Sequence, residues 1–267
     1  MHKPLTDAAK DPLVIAHRGA SVAAPENTIA AFTRAIADGA DGFELDVRLS
    51  LDGVPVVIHD QTLRRTGLRR EAVAGMTAGQ LREVDVGSWF NRAHPKHARS
   101  EYARECVPTL DQVFTLFQDR DVRLYVELKT GAGEGFADLT QAVAQSIKEH
   151  RLHSRTVAVS FEFAALVRIK QIDPAIRTGA LFEPKRDLTT VVRKQQMIDA
   201  TIKHGANEIL LHRSIAGRAA VTLAIDNALS VVVWTVDDPK WIRRARSLGI
   251  HALIANNPGK MRGAIKE

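Results

Sequence analysis

Phe43-Glu44-Leu45-Asp46-Val47 alternates large apolar residues with two acids. Residues two apart in a strand point to one side, so Glu44 and Asp46 share a face while Phe43, Leu45 and Val47 share the other. The apolar face belongs against helices, which turns both carboxylates inward, toward the mouth of a barrel. Two carboxylates that close repel one another and raise a pKa unless a cation joins them. A hard divalent ion is the simple remedy. The competing reading is a salt bridge to a neighbouring Arg or Lys.

Outward from this stretch, short β-rich runs recur. They are Leu13 to Ala16, Arg123 to Leu128, Thr156 to Ser160, Arg177 to Phe182, Glu208 to Leu211, Val231 to Val236 and Ala252 to Ile254. Their brevity and apolarity suit buried parallel strands. Amphipathic segments such as Thr28 to Ala37, Leu139 to Ile147 and Ala164 to Ile172 lie between them. Strand and helix in alternation build βαβ units, and eight runs predict a closed (β/α)₈ TIM barrel. A doubly wound open sheet is the alternative. Val54 to Ile58 breaks the rhythm, because Asp52-Gly53 is a tight-turn signal and the connection is too short for a parallel crossover. Residues 44–59 therefore read as a hairpin that leaves the rim and returns to it. Residues 61–107, rich in Arg, Gly and Ala around Trp89-Phe90, are too long for an ordinary βα loop. They are expected to form a small insertion after the second strand, within a single domain spanning 1–267.

Composition narrows the function classes. Apolar residues make up 45%, enough for a large core. The one cysteine, Cys106, permits no intramolecular disulfide and reads as a filler or bystander thiol. No run of eighteen apolar residues exists, so no stable membrane anchor is expected. Met1 to Asp7 carries no apolar leader, so a cytoplasmic location is the default expectation. A net charge of +6 suits an anionic substrate. The basic clusters Arg64-Arg65, Arg69-Arg70 and Arg243-Arg244-Ala245-Arg246 are not interleaved with aromatic residues that would stack bases, so they read as solvated and no nucleic-acid partner is expected. A homo-oligomer is compatible with the sequence.

Several residues at strand ends could carry chemistry. His17-Arg18-Gly19 closes the first strand, and Gly19 lets the chain turn. Pro25-Glu26-Asn27-Thr28 reads as a helix start capped by Asn27 or Thr28. Glu127 and Lys129 share a face near a strand end, and Glu127 completes an oxygen-ligand set with Glu44 and Asp46 for Mg²⁺ or Ca²⁺. Zinc is disfavoured because no Cys-Cys or His-x-His spacing exists, and His94-x-x-His97 reads as surface. The hairpin returns His59 to the rim. Two histidines beside three carboxylates point to a general acid and a general base. Gly131 to Gly135 matches no phosphate-loop pattern and reads as a flexible βα loop. His212 and Trp234 end strand runs and could line the pocket, and Trp234 reads equally well as a core residue.

Taken in order, His17-Arg18-Gly19, Pro25-Glu26-Asn27-Thr28, Glu44-Leu45-Asp46-Val47, Asp52-Gly53, His59-Asp60, Glu127-Leu128-Lys129, Ser160-Phe161 and Trp234-Thr235-Val236 resemble the glycerophosphodiester phosphodiesterase family. So do Arg65-Thr66 and Pro108-Thr109-Leu110. The resemblance runs from residue 13 to about residue 258. It implies a (β/α)₈ barrel and a divalent metal on Glu44, Asp46 and Glu127. It also implies acid–base roles for His17 and His59, and phosphate contacts from Arg18 and Lys129. The implied reaction converts small-molecule glycerophosphodiesters to glycerol 3-phosphate and an alcohol. The family often shows Thr-Asp before a proline after the last strand, whereas this chain reads Ala255-Asn256-Asn257-Pro258. That departure bears on contacts at the rim and on head-group choice. A phospholipase D-type hydrolase of lysophospholipids is the alternative enzyme. A non-catalytic barrel is the alternative class, and it would be expected to have lost one of the five key residues.

Overall fold

The computed structural model describes residues 11–130, 136–184 and 190–266. Met1 to Asp7 and the stretch Gly131 to Gly135, expected as a loop, lie outside the described residues. Among the described residues nine strands occur, β1 (Leu13–His17), β2 (Gly42–Leu49), β3 (Pro55–Val57), β4 (Arg123–Leu128), β5 (Thr156–Ser160), β6 (Arg177–Phe182), β7 (Glu208–His212), β8 (Ser230–Trp234) and β9 (Ala252–Ala255). All except β3 are parallel to their neighbours, and β1 pairs with both β9 and β2, so eight strands close into a barrel. The expected TIM barrel is the observed fold, and the open-sheet alternative is not. Helices follow the strands and cover the outside of the ring.

Side-chain parity divides the core in two. Ile15, Tyr125, Val157, Val159, Leu181, Leu210, Val232 and Ile254 fill the barrel interior. Their alternates face the helices. Phe43, Leu45 and Val47 pack there with Phe32, Phe114 and Phe117. Phe43 stacks on Phe32 at 4.5 Å and meets Phe117 edge-on at 4.9 Å. Burying one such ring contributes roughly 1.5–3 kcal/mol. This packing fixes which face of β2 turns inward. A second helix–sheet core, built on Val14, Ile209, Leu211, Val231, Val233 and Leu253, closes the other side. Below the mouth, the Tyr125 hydroxyl donates to buried Glu208 at 2.9 Å, and Arg177 donates to the same carboxylate at 3.1 Å.

β3 runs antiparallel to the upper half of β2, with Val47 opposite Val57 and Leu49 opposite Pro55. Gly53 turns the chain at φ +75°, a conformation that costs glycine little. The Ile58 N–H then donates to the Asp46 carbonyl at 2.9 Å, which delivers His59 beside the carboxylates. Between β3 and the helix Leu110–Phe117, the chain forms short helical turns around Leu63, Val73, Leu81, Val84, Val86 and Val107. Phe90 and Tyr102 pack onto Ala24 and Ala31.

Candidate active site

Strand register assembles the acidic cluster. β1 sets His17 opposite Glu44, and β4 sets Glu127 opposite Asp46. Oxygens of Glu44, Asp46 and Glu127 lie within 4.8 Å of one another. All three side chains are almost fully buried. Two cations stand among them. Lys129 Nζ is 2.5 Å from Glu127 and 3.1 Å from Asp46 Oδ1, and Arg18 Nε is 3.2 Å from Asp46 Oδ2. Asn27 Nδ2 donates to Asp46 Oδ2 at 2.7 Å, and the Asp46 N–H donates back to Asn27 Oδ1 at 3.3 Å. Asn27 reaches this position from a left-handed backbone, φ +57°. The helix cap is Thr28, whose hydroxyl accepts from the Ala31 N–H. Gly19 (φ +81°) lets the chain after β1 pass so close to Ala31 that a Cβ there would lie 2.6 Å from the Ala31 carbonyl carbon.

Three buried carboxylates outnumber the two cations, and their acidities separate. Burial would raise Asp46, but Lys129 and Arg18 outweigh it and hold this carboxyl well below the usual range. Burial together with ionised Asp46 pushes Glu127 up to about 7. Burial, then Asp46 and Glu127, lift Glu44 well above the ordinary carboxylate range. Asp46 Oδ1 is buried and has no hydrogen-bond partner, since Lys129, though near, lies outside hydrogen-bond geometry. A buried carboxylate oxygen that accepts no hydrogen bond and has only the Lys129 ion pair, between two carboxyls lifted by burial and mutual repulsion, fits a hard divalent cation.

The two histidines stand on either side of this cluster. His17 Nδ1 is 2.7 Å from Asn256 Oδ1, and its Nε2 is 4.0 Å from Glu44. Burial and neighbouring Arg18 push His17 down to about 4. His59 Nδ1 is 2.6 Å from Asp60. Burial also lowers His59, while Asp46 and Asp60 oppose the shift. Asp60 accepts from Arg65 Nε at 2.7 Å, and the same guanidinium forks onto Glu26 at 2.7 and 2.8 Å. Glu26 also receives Arg18 Nη1 at 2.9 Å. The expectation that Arg64-Arg65 is merely solvated therefore fails for Arg65, because its two carboxylate partners sit at the site.

His17, Arg18, Glu44, His59, Glu127 and Lys129 line one side of a pocket. Val159, Phe161, Leu181, Glu183, Leu210, Trp234 and Ile254 line the other. Trp234 is held by a 3.2 Å bond from Nε1 to the Leu210 carbonyl and meets Phe161 edge-on at 5.7 Å. His212, expected on this wall, stands outside the lining and packs edge-on against Trp234 at 5.2 Å. Cys106 is far from this chemistry in role, because burial pushes its thiol up and away from reactivity. Sequence reasoning gave Glu26 and Asn27 only a helix-start role. Asn27 had a signal, since Asn is among the few residues that adopt φ > 0 readily.

Fold and site together define a (β/α)₈-barrel hydrolase acting on phosphodiesters. Residues 17–260 match the glycerophosphoryl diester phosphodiesterase family. A glycerophosphodiester phosphodiesterase of Caldanaerobacter subterraneus subsp. tengcongensis is 32% identical over 92% of this chain and 94% of its own length. A Bacillus subtilis protein of the same name is 34% identical over 92% of this chain and 84% of its own. An Oleispira antarctica phosphodiesterase, solved in complex with the product sn-glycerol-3-phosphate, superposes with a TM-score of 0.83 at 27% identity, covering 96% of this chain and 98% of that one. The chain belongs to the glycerophosphoryl diester phosphodiesterase family. Among the described residues, no helix is long and apolar enough to cross a membrane.

Proposed function

We propose that this chain releases glycerol 3-phosphate from glycerophosphodiesters, with His17 as general base, His59 as general acid and Mg²⁺ or Ca²⁺ held by Glu44, Asp46 and Glu127. The observation that carries this reading is the carboxylate trio, with an Asp46 oxygen that accepts no hydrogen bond, set between two imidazoles. The cation would neutralise charge that builds on the phosphoryl oxygens. Arg18 and Lys129 face the same pocket and add positive charge for the phosphate. Trp234 and Phe161 form the apolar wall against which the organic part of the substrate rests.

The two histidines differ in the partner at Nδ1. His17 meets a neutral amide, so its Nε2 lone pair is free to take the proton of the attacking hydroxyl, whether water or the glycerol's own. His59 meets an ionised Asp60, which stabilises an imidazolium able to donate to the leaving alkoxide. Within a single domain spanning 1–267, the inserted segment 61–107 supports this acid, because Arg65 braces Asp60 against Glu26.

A panel of glycerophosphodiesters assayed for glycerol 3-phosphate tests the reading. Release should occur with at least one diester, stop in EDTA and return with Mg²⁺ or Ca²⁺. Release that survives EDTA removes the metal from the reading, and release from no diester removes the substrate class. Metal affinity should also depend on pH. Glu127 titrates at about 7 and Glu44 above its usual range, so protons occupy the site as pH falls and the metal must displace them. Affinity should weaken by about tenfold per pH unit for each proton displaced. Titration calorimetry at about pH 6 and about pH 8, in buffers of different ionisation enthalpy, counts those protons. A pH-independent affinity would contradict the ligand assignment.

A further inference from the structure

We infer that Asn256 and Asp237 are positioning residues that fix the tautomer of His17, holding its proton on Nδ1 and keeping the Nε2 lone pair toward the reacting centre. This deepens the reading of His17 as base and rests on it. The chain of contacts starts at Asp237, which follows β8. Its Oδ1 accepts the backbone N–H of Asn256 at 2.8 Å and of Asn257 at 3.1 Å. Its Oδ2 accepts Asn256 Nδ2 at 2.8 Å.

A carboxylate can only accept, so the amide edge facing Asp237 must be the NH₂ group. The other edge, Oδ1, therefore faces His17 Nδ1 at 2.7 Å, and the Ser21 hydroxyl donates to that same oxygen at 3.2 Å. An amide oxygen also only accepts. His17 Nδ1 must then carry the hydrogen, which leaves Nε2 bare on the side of Glu44. Turning the amide over would set its oxygen against the Asp237 carboxylate and its NH₂ against Nδ1. That arrangement would drive the proton to Nε2 and disable the base. Asp237 thus acts through Asn256, and Asn256 through His17. The stretch Ala255-Asn256-Asn257, where the chain departs from the family pattern, supplies the amide in this relay.

Long-range ¹H–¹⁵N correlation of the full chain in Mg²⁺ at neutral pH reads the tautomer directly, with the His17 signals identified by their loss in His17→Gln. Wild type should show a pyrrole-type Nδ1 and a pyridine-type Nε2 for His17. In Asn256→Leu and Asp237→Ala the proton should move wholly or partly to Nε2. Turnover should fall about 10- to 100-fold, with KM changed by less than about twofold, as expected when orientation and not binding is lost. A wild-type His17 protonated on Nε2 overturns the inference, and that measurement does not depend on Asn256→Leu or Asp237→Ala folding. If His17→Gln keeps wild-type turnover, the reading of His17 as base is wrong. If His17→Gln is inactive while Asn256→Leu and Asp237→Ala match wild type in spectrum and turnover, only the relay is wrong.

Discussion

Replacing His59 with alanine should lower turnover of a diester with an alkoxide leaving group by about 10²- to 10⁴-fold, the range a general acid supplies. Replacing His17 has an effect of the same order, but the two losses separate with leaving group. A glycerophosphoryl ester of 4-nitrophenol expels a phenolate that needs no proton. His59→Ala should recover to within about tenfold of wild type on this substrate. His17→Ala should stay impaired on both, because the nucleophile must still lose its proton. The distinction follows from the partners at Nδ1, a neutral amide for His17 and a carboxylate for His59. Equal losses for both variants on both substrates would remove the division of labour. Wild-type rates for either variant on the alkyl diester would remove that histidine from the chemistry.

Glu44→Gln should separate activity from stability. Glu44 is buried beside Asp46 and Glu127, and its carboxyl is lifted well above the usual range. Glutamine keeps the shape and can still accept the Arg18 N–H that Glu44 accepts at 3.0 Å. It removes one of three repelling charges and one of three ligands. The metal-free variant should melt at or above wild type. A carboxyl raised in the folded state destabilises it progressively as pH rises, so the advantage of glutamine should grow toward alkaline pH. Wild type should gain about 2.7 kcal/mol at a metal concentration near 100 Kd, and the variant should gain little at the same concentration. Turnover should fall by more than about 100-fold. Thermal scans with EDTA and with Mg²⁺ check both halves. A variant less stable than wild type in EDTA yet rescued by metal would mean that Glu44 serves packing and not ligation.

The features legible in the sequence are those set by local periodicity. The alternation from Phe43 to Val47 places two carboxylates inside, because three apolar neighbours are drawn to the helix layer. Asp52-Gly53 returns the chain in time for His59 to meet the rim. Other features depend on closure of the ring. Asn256 reaches His17 only because β9 pairs with β1, which joins the two ends of the chain. Arg65 reads as one of several exposed arginines until the inserted segment folds back onto Glu26 and Asp60. Asn27 reads as a cap because its neighbour Thr28 is one, and its bond to Asp46 spans two elements.

The pocket is divided around its circumference. His17, Glu44, His59 and Glu127 come from β1, β2, the end of the hairpin and β4, whereas Phe161, Leu181, Leu210 and Trp234 come from β5 to β8 or the residue just after. The groups proposed for acid–base and metal chemistry and most of the apolar lining therefore occupy separate arcs of one ring. If the organic part of the substrate rests on the second arc, as proposed, substitutions there should change which alcohol is accepted while the first arc stays intact. On that reading, head-group choice could shift by single substitutions that leave the proposed chemistry in place.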